Sequence, residues 1–239
     1  ILITLFMLPA IILSKFKLIQ KTTILSVIPI ILLILFIYGS YSKNKNEKFL
    51  DTFDKKIYVK VVSPNFELKY GLNNKEIESR LKKLIRFSEP EKNIKTIFIW
   101  PEGVFSGYNF EQLSKLKEVF KKNFSKDHFI LFGVNTLDAG TGGIFNSLVV
   151  VDNNMDILHK YNKQKLVPFG EFLPFETVLN KIGLKKITEG HGSFLKAEKQ
   201  KNIIIDNINI LTLICYEIIF TKLAQDSNYE TNLIINISE

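Results

Sequence analysis

Apolar residues follow two regimes along the chain. Up to residue 41 they run almost unbroken, and from about residue 55 they come in short bursts separated by polar turns. Residues 1–13 are nearly all apolar but too few to cross a bilayer, so they are read as the tail of a membrane helix. A lysine-bearing linker, residues 14–21, leads into residues 22–41, a stretch of 20 residues without a charge. At 1.5 Å per residue that stretch matches the roughly 30 Å hydrocarbon core, which predicts a transmembrane helix over about 22–41. Pro29 lies mid-span, where membrane helices tolerate it. A secretory signal would have a shorter apolar region followed by a small-residue cleavage pattern, and none follows Tyr41. Lysines flank the span on both sides (Lys15, Lys17, Lys21; Lys43, Lys45, Lys48), so charge leaves its orientation open.

Beyond a linker at 46–56, periodicity predicts alternating strands and helices over 57–239. Residues 57–62, 96–100, 129–134, 145–151, 156–161, 203–205, 208–214 and 232–237 read as strands. Ile77, Leu81, Leu84 and Ile85 recur at helical spacing over 73–87. A second helix carries Phe110, Leu113, Leu116, Val119 and Phe120, and further helices are predicted at 176–182 and 217–224. Such alternation argues for an α/β sandwich.

Composition excludes several classes. With 46% hydrophobic residues the chain is no disordered tract. Its single cysteine, Cys215, rules out an intrachain disulfide and a multi-thiolate metal site. Only Arg80 and Arg86 are arginine, and the net charge of +8 is spread along the chain, which reads as a lysine-rich solvated surface with no nucleic-acid partner. His128, His159 and His191 have no metal-site spacing and read as isolated surface or loop residues. There is no dinucleotide or P-loop fingerprint. The chain starts at Ile1 and begins and ends inside apolar patterns, so it is expected to be a segment of a longer polypeptide.

The chemistry is concentrated at strand ends. Glu102 follows the 96–100 strand through Pro101, Lys163 follows the 156–161 strand, and Cys215 closes the 208–214 strand. A strand-to-helix elbow exposes a nucleophile and offers backbone N–H groups to an oxyanion. A carboxylate can take the thiol proton, and a lysine favours thiolate and oxyanion. Singly, each residue has a plainer reading: a buried core cysteine, a solvated loop lysine, an ordinary Trp-Pro-Glu turn.

Together, Glu102, Lys163 and Cys215 resemble the Glu-Lys-Cys triad of the nitrilase, or carbon–nitrogen hydrolase, superfamily. The stretch from Tyr161-Asn162-Lys163 through Leu166-Val167-Pro168-Phe169-Gly170-Glu171-Phe172-Leu173-Pro174 resembles its apolipoprotein N-acyltransferase branch. So do Trp100-Pro101-Glu102, Cys215-Tyr216-Glu217 and Asn236-Ile237-Ser238. The resemblance implies a nitrilase-like four-layer αββα sandwich preceded by a transmembrane helix. It divides the chain into a membrane segment (1–45), a linker (46–56) and a catalytic domain (57–239) that is incomplete at its C-terminus. It implies an enzyme that moves an acyl chain from a membrane phospholipid, through a Cys215 thioester, to the free α-amine of an S-diacylglyceryl-cysteine on an apolipoprotein. Glu102 would be the base, and Lys163 the oxyanion stabiliser. Glu171, Tyr216 and Glu217 would support them. Tyr70, where the family often has Trp, and Phe169 would meet the lipid. Phe169, Phe172, Leu173 and Phe175 either enter the membrane interface or pack the loop down. The family further implies an inner-membrane location, a domain facing the periplasm, and no metal or organic cofactor. Three alternatives remain at this point: a tethered amidase or nitrilase cutting a small C–N bond, an inactive fragment of the acyltransferase, and a binding module without catalysis.

Overall fold

In a computed structural model the chain is described over residues 11, 14–50, 57–67, 69, 71–174, 193–224 and 231–238. Tyr70, Phe175, His191, the helix expected at 176–182 and all of the 1–13 segment except Ile11 lie outside the described residues. The chain divides into two compact units, residues 1–56 and 57–239.

The first unit is built on one helix, α1 (Leu18–Leu50). Its 33 residues span about 50 Å, and over Leu18–Lys48 it is long and apolar enough to cross a membrane. The helix begins earlier and runs later than the predicted 22–41, so the linker lysines at both flanks are partly helical. After Tyr41 the sequence turns polar without a Gly or Pro to stop it, and Lys43 and Glu47 pair at 3.7 Å one turn apart. Apolarity therefore marked the span but not the helix ends.

The second unit is two sheets packed face to face. The first sheet has strand order β1 (Tyr58–Val61), β2 (Thr96–Ile99), β3 (His128–Leu137), β4 (Ile144–Val151), β5 (Ile157–Asn162). Its first three strands are parallel and the last two antiparallel. The second sheet is β6 (Ile203–Ile205), β7 (Ile208–Ile214), β8 (Leu233–Ile237), with β7 antiparallel to β6 and parallel to β8.

Strand alternation sorts the side chains. Phe98, Trp100, Ile130, Phe132, Val134, Val149 and Val151 point to the outer face, under helices α2 (Asn74–Ser88) and α3 (Lys117–Asn123). Ile97, Ile99, Leu131, Leu148, Val150 and Tyr161 point inward, against Ile205, Ile210, Ile214, Ile235 and Ile237 of the second sheet. β2 is buried at every position, and apolar after Thr96, because both its faces are covered. Helix, sheet and sheet are thus three successive layers of the expected nitrilase-like sandwich. Beyond the second sheet, short helix α4 (Thr221–Ala224) borders a cavity with Leu211 and Leu213.

α2 starts at a reciprocal cap. Asn73 Oδ1 accepts from the Lys75 and Glu76 N–H groups, and Glu76 accepts from the Asn73 N–H at 2.8 Å. It ends with Ser88 under the sheet, where Trp100 Nε1–H donates to its hydroxyl at 2.9 Å. The second amphipathic stretch is helical but opens as a 3₁₀ helix over Phe110–Leu116 before α3. His128 is a correction. It is fully buried at the start of β3, edge-on to Phe98 and Phe124, accepting from the Ser125 N–H through Nδ1 at 3.1 Å while Nε2 bonds the Glu91 carbonyl at 3.0 Å.

Candidate active site

Topology brings the three strand ends together. β2 and β3 run parallel and β4 returns antiparallel, so the start of β4 lies beside the end of β2. β5, antiparallel to β4, ends there as well, with Ser147 opposite Asn162. Glu102, Asn146, Lys163 and Cys215 therefore converge, although 113 residues separate the first from the last.

Lys163 is 1% exposed, on a backbone fixed by its own N–H to the Asn146 carbonyl at 2.8 Å. Its ammonium donates to Glu171 Oε1 at 2.8 Å and stands 3.7 Å from Glu102 Oε1. Asn146 Nδ2 donates to both carboxylates, Glu102 Oε1 and Glu171 Oε1, each at 2.8 Å. Glu171 is held from its other oxygen by the Val167 N–H at 2.9 Å. The Glu102 carboxylate also lies close enough to the Cys215 thiol for the two to interact.

Cys215 leaves β7 with φ +52°, a left-handed conformation uncommon for a residue with a Cβ. Ile214 before it is still extended, and a 3₁₀ helix starts at Cys215 itself (Cys215–Ile219). This is the expected elbow, tighter than the predicted helix over 217–224, which is split into that turn and α4. The Tyr216 N–H points at the Cys215 sulfur.

Glu217 secures the elbow. Its carboxylate is fully buried and accepts four hydrogen bonds: Tyr161 Oη–H at 2.9 Å, Ile214 N–H at 3.0 Å, Gln164 N–H at 2.6 Å and Lys165 N–H at 2.9 Å. Two come from the loop after Lys163 and one from the last strand residue before Cys215, so one side chain ties both loops together. Tyr216 is 37% exposed, with its ring edge-on to Phe220. Phe169 stands at the surface with φ +62°, while Leu173 on the same loop is buried. Of the loop's described apolar residues, then, Phe169 is the outward one and Leu173 packs the loop down.

The electrostatics suit acyl chemistry. Burial pushes the Glu102 carboxyl above the usual range for a glutamic acid, against the pull of the Lys163 charge and the Asn146 hydrogen bond. Burial and the Glu102 charge push the Cys215 thiol up, against Lys163 and the Tyr216 N–H. Burial alone would lower Lys163, but the Glu102 and Glu171 charges outweigh it and keep its ammonium protonated. The resting arrangement is a protonated thiol facing a carboxylate of raised basicity, beside a fixed cation. Among the described residues no group of His, Cys, Asp and Glu is placed to hold a metal ion.

Two residues here were not anticipated. Asn146 is a polar residue, followed by Ser147, within a mostly apolar buried strand, a detectable but unspecific signal. Gly133, mid-strand in β3, lets the Glu102 backbone approach, since a Cβ there would lie 2.7 Å from Glu102 Cα.

Comparison with known proteins adds a lineage to this geometry. No family model matches the chain. It is 28% identical over 219 residues to an apolipoprotein N-acyltransferase of Wigglesworthia glossinidia brevipalpis, covering 88% of this chain and 42% of that protein. It is 30% identical over 148 residues to one of Bradyrhizobium diazoefficiens, covering 60% of this chain and 28% of that protein. The chain thus spans less than half the length of these relatives. Among solved structures it resembles Saccharomyces cerevisiae Nit3, a member of branch 10 of the nitrilase superfamily, at 17% identity and TM-score 0.45, covering 68% of this chain and 59% of that one. In sequence the chain is similar to apolipoprotein N-acyltransferases, and its two-sheet α/β architecture fits a nitrilase-like sandwich.

Proposed function

We propose that this chain carries the nucleophile of a membrane N-acyltransferase that uses a phospholipid as acyl donor and an S-diacylglyceryl-cysteine α-amine as acceptor. The observation that carries the reading is the convergence of the Glu102 carboxylate and the Cys215 thiol beside the buried Lys163 ammonium, in a chain whose sequence relatives are apolipoprotein N-acyltransferases.

In the first step Glu102 takes the Cys215 proton as the sulfur attacks the ester carbonyl. Lys163 and the Tyr216 N–H are the groups available to the tetrahedral oxyanion. The C–O bond breaks, the proton passes from Glu102 to the departing alkoxide, and a lysophospholipid leaves the thioester behind. In the second step Glu102 takes a proton from the attacking amine, the C–S bond breaks, and the proton returns to the sulfur. Glu171 and Glu217 position the lysine loop and the elbow, and Tyr216 and Phe169 offer exposed apolar surface to the substrates. Tyr70 is retained in the proposal as a lipid-lining aromatic. No metal or organic cofactor enters either step. A bilayer anchor such as α1 suits this chemistry, because extracting an acyl chain into water costs about 0.8 kcal/mol per CH₂. The inner membrane, with the catalytic domain on the periplasmic side, is the proposed location.

The test is acyl capture. Membranes bearing the chain are given a phospholipid with an alkyne-tagged acyl chain. Label on the protein is expected, removable by neutral hydroxylamine and absent in Cys215→Ala. Persistent absence of label, including in a longer polypeptide carrying the segments found in the relatives, would refute the reading.

A further inference from the structure

The polar groups of Asn146 reach three parts of the cluster. Its carbonyl fixes the Lys163 backbone at 2.8 Å, and its two amide hydrogens go to Glu102 Oε1 and Glu171 Oε1. Both amide partners are carboxylate oxygens, which cannot donate, so the NH₂ must face them and the side-chain orientation has no alternative. The residue is 8% exposed, on a strand paired along its whole length with β3.

The charges explain why an amide is needed. Two carboxylates share one ammonium, and Lys163 pairs closely with Glu171 while leaving Glu102 at 3.7 Å. That separation leaves the Glu102 oxygen without a close charged donor. Asn146 binds Glu102 through a neutral donor instead. That holds the carboxylate next to Cys215 and leaves it more basic than a direct lysine contact would.

We propose that Asn146 is a positioning residue for the thiol-activating step: its amide holds the ionised Glu102 carboxylate in place beside Cys215, and bridges Glu102 to Glu171. The inference rests on Glu102 acting on Cys215, but not on the identity of the acyl donor.

The groups facing Glu102 are Lys163, Glu171, Cys215 and Asn146. Of these, Asn146 and Lys163 favour its charged form, whereas burial and Glu171 oppose it. Losing the amide therefore raises the pH at which Glu102 ionises. The readout is alkylation of Cys215 by iodoacetamide across pH, in the full chain in membranes. It needs no acyl donor, and Cys215 is the chain's sole cysteine, so the modification is unambiguous.

The wild-type rate is expected to climb along an acid limb that Glu102→Gln abolishes. Asn146→Ala should move that limb up by about one pH unit, a rate about tenfold lower at a fixed pH on the limb, with the thermal midpoint little changed. Asn146→Asp has the same shape but cannot donate when ionised, and adds a third carboxylate. It should be at least as impaired. An aspartate variant with the wild-type profile would make Asn146 a space-filler and overturn the proposal. So would an acid limb that survives Glu102→Gln, or loss of the fold in both Asn146 variants, which would place its role in stability. Acyl capture separates the two readings: failed capture with the expected alkylation shifts would refute the phospholipid donor alone.

Discussion

Glu102 and Glu217 each lie three residues past the end of a strand, the first largely and the second fully buried, yet their surroundings have opposite designs. Glu217 is saturated. Four donors, three of them backbone N–H groups, meet its two oxygens, and the ion pairs found among the described residues do not include it. With both oxygens occupied by donors from two loops, its work is mechanical. Glu102 is undersaturated. It has one amide, a thiol, and an ammonium kept at 3.7 Å, with its carboxyl raised by burial. The comparison separates a carboxylate built to hold two loops from one left able to take a proton.

The largest expected effects test the reactive side of that contrast. Cys215→Ala should abolish acyl capture, and Glu102→Gln should slow it by roughly 10²–10⁴-fold while the protein stays folded, judged by its thermal midpoint. If Glu102→Gln instead unfolds the domain and keeps its residual rate, Glu102 is structural and the contrast collapses.

Glu217→Gln should act the other way. One accepting oxygen becomes an NH₂ facing N–H donors, at a cost of about 2–4 kcal/mol in stability. Denaturant unfolding would read this. A variant of unchanged stability but lost capture would move Glu217 to the chemical side. Gly133→Ala sharpens the same boundary. Its new Cβ would meet the Glu102 backbone at 2.7 Å, and a displaced base should slow capture by about 10²-fold.

The pH profile is a smaller effect, about tenfold per pH unit on its acid limb. Glu102 must be ionised to act, and its carboxyl is raised. The limb should therefore lie above the ordinary glutamate range, and the rate should rise with pH through it. On the alkaline side the plateau should extend upward, because the Cys215 thiol and the Lys163 ammonium both hold their protons more tightly than usual. The smallest expected effect is far from the site. Ser88→Ala leaves the Trp100 indole N–H unpartnered and should cost about 1–2 kcal/mol in stability with capture unchanged.

Legibility in the sequence followed the kind of interaction. β2, β4 and β7 were visible because burial on one or both faces demands unbroken or alternating apolar residues, and α2 because its apolar stripe and Asn73–Glu76 cap are local. The turn after Cys215 was misjudged as a helix from residue 217. Its tightness depends on the Glu217 carboxylate turning back to the Ile214 N–H and reaching the lysine loop, contacts absent from local propensity. His128 was taken for a surface residue, although the Phe98 and Phe124 rings that enclose it lie near in space and only partly near in sequence.

For the site the division is similar. Glu102, Lys163 and Cys215 could be named from residue type and position at strand ends, and Glu171 and Glu217 through the family resemblance of the sequence around them. Asn146 and Gly133 could not, because an amide and a missing side chain have meaning only against what faces them.

The sequence by itself determined the apolar span, the alternation of strands and helices, and which side chains could do chemistry, since these depend on local period and residue type. Only the tertiary structure decided which carboxylate is saturated, which stands apart from the lysine, and how the cysteine is presented. Those outcomes depend on hydrogen bonds and distances between strand ends that parallel and antiparallel pairing bring together from across the chain.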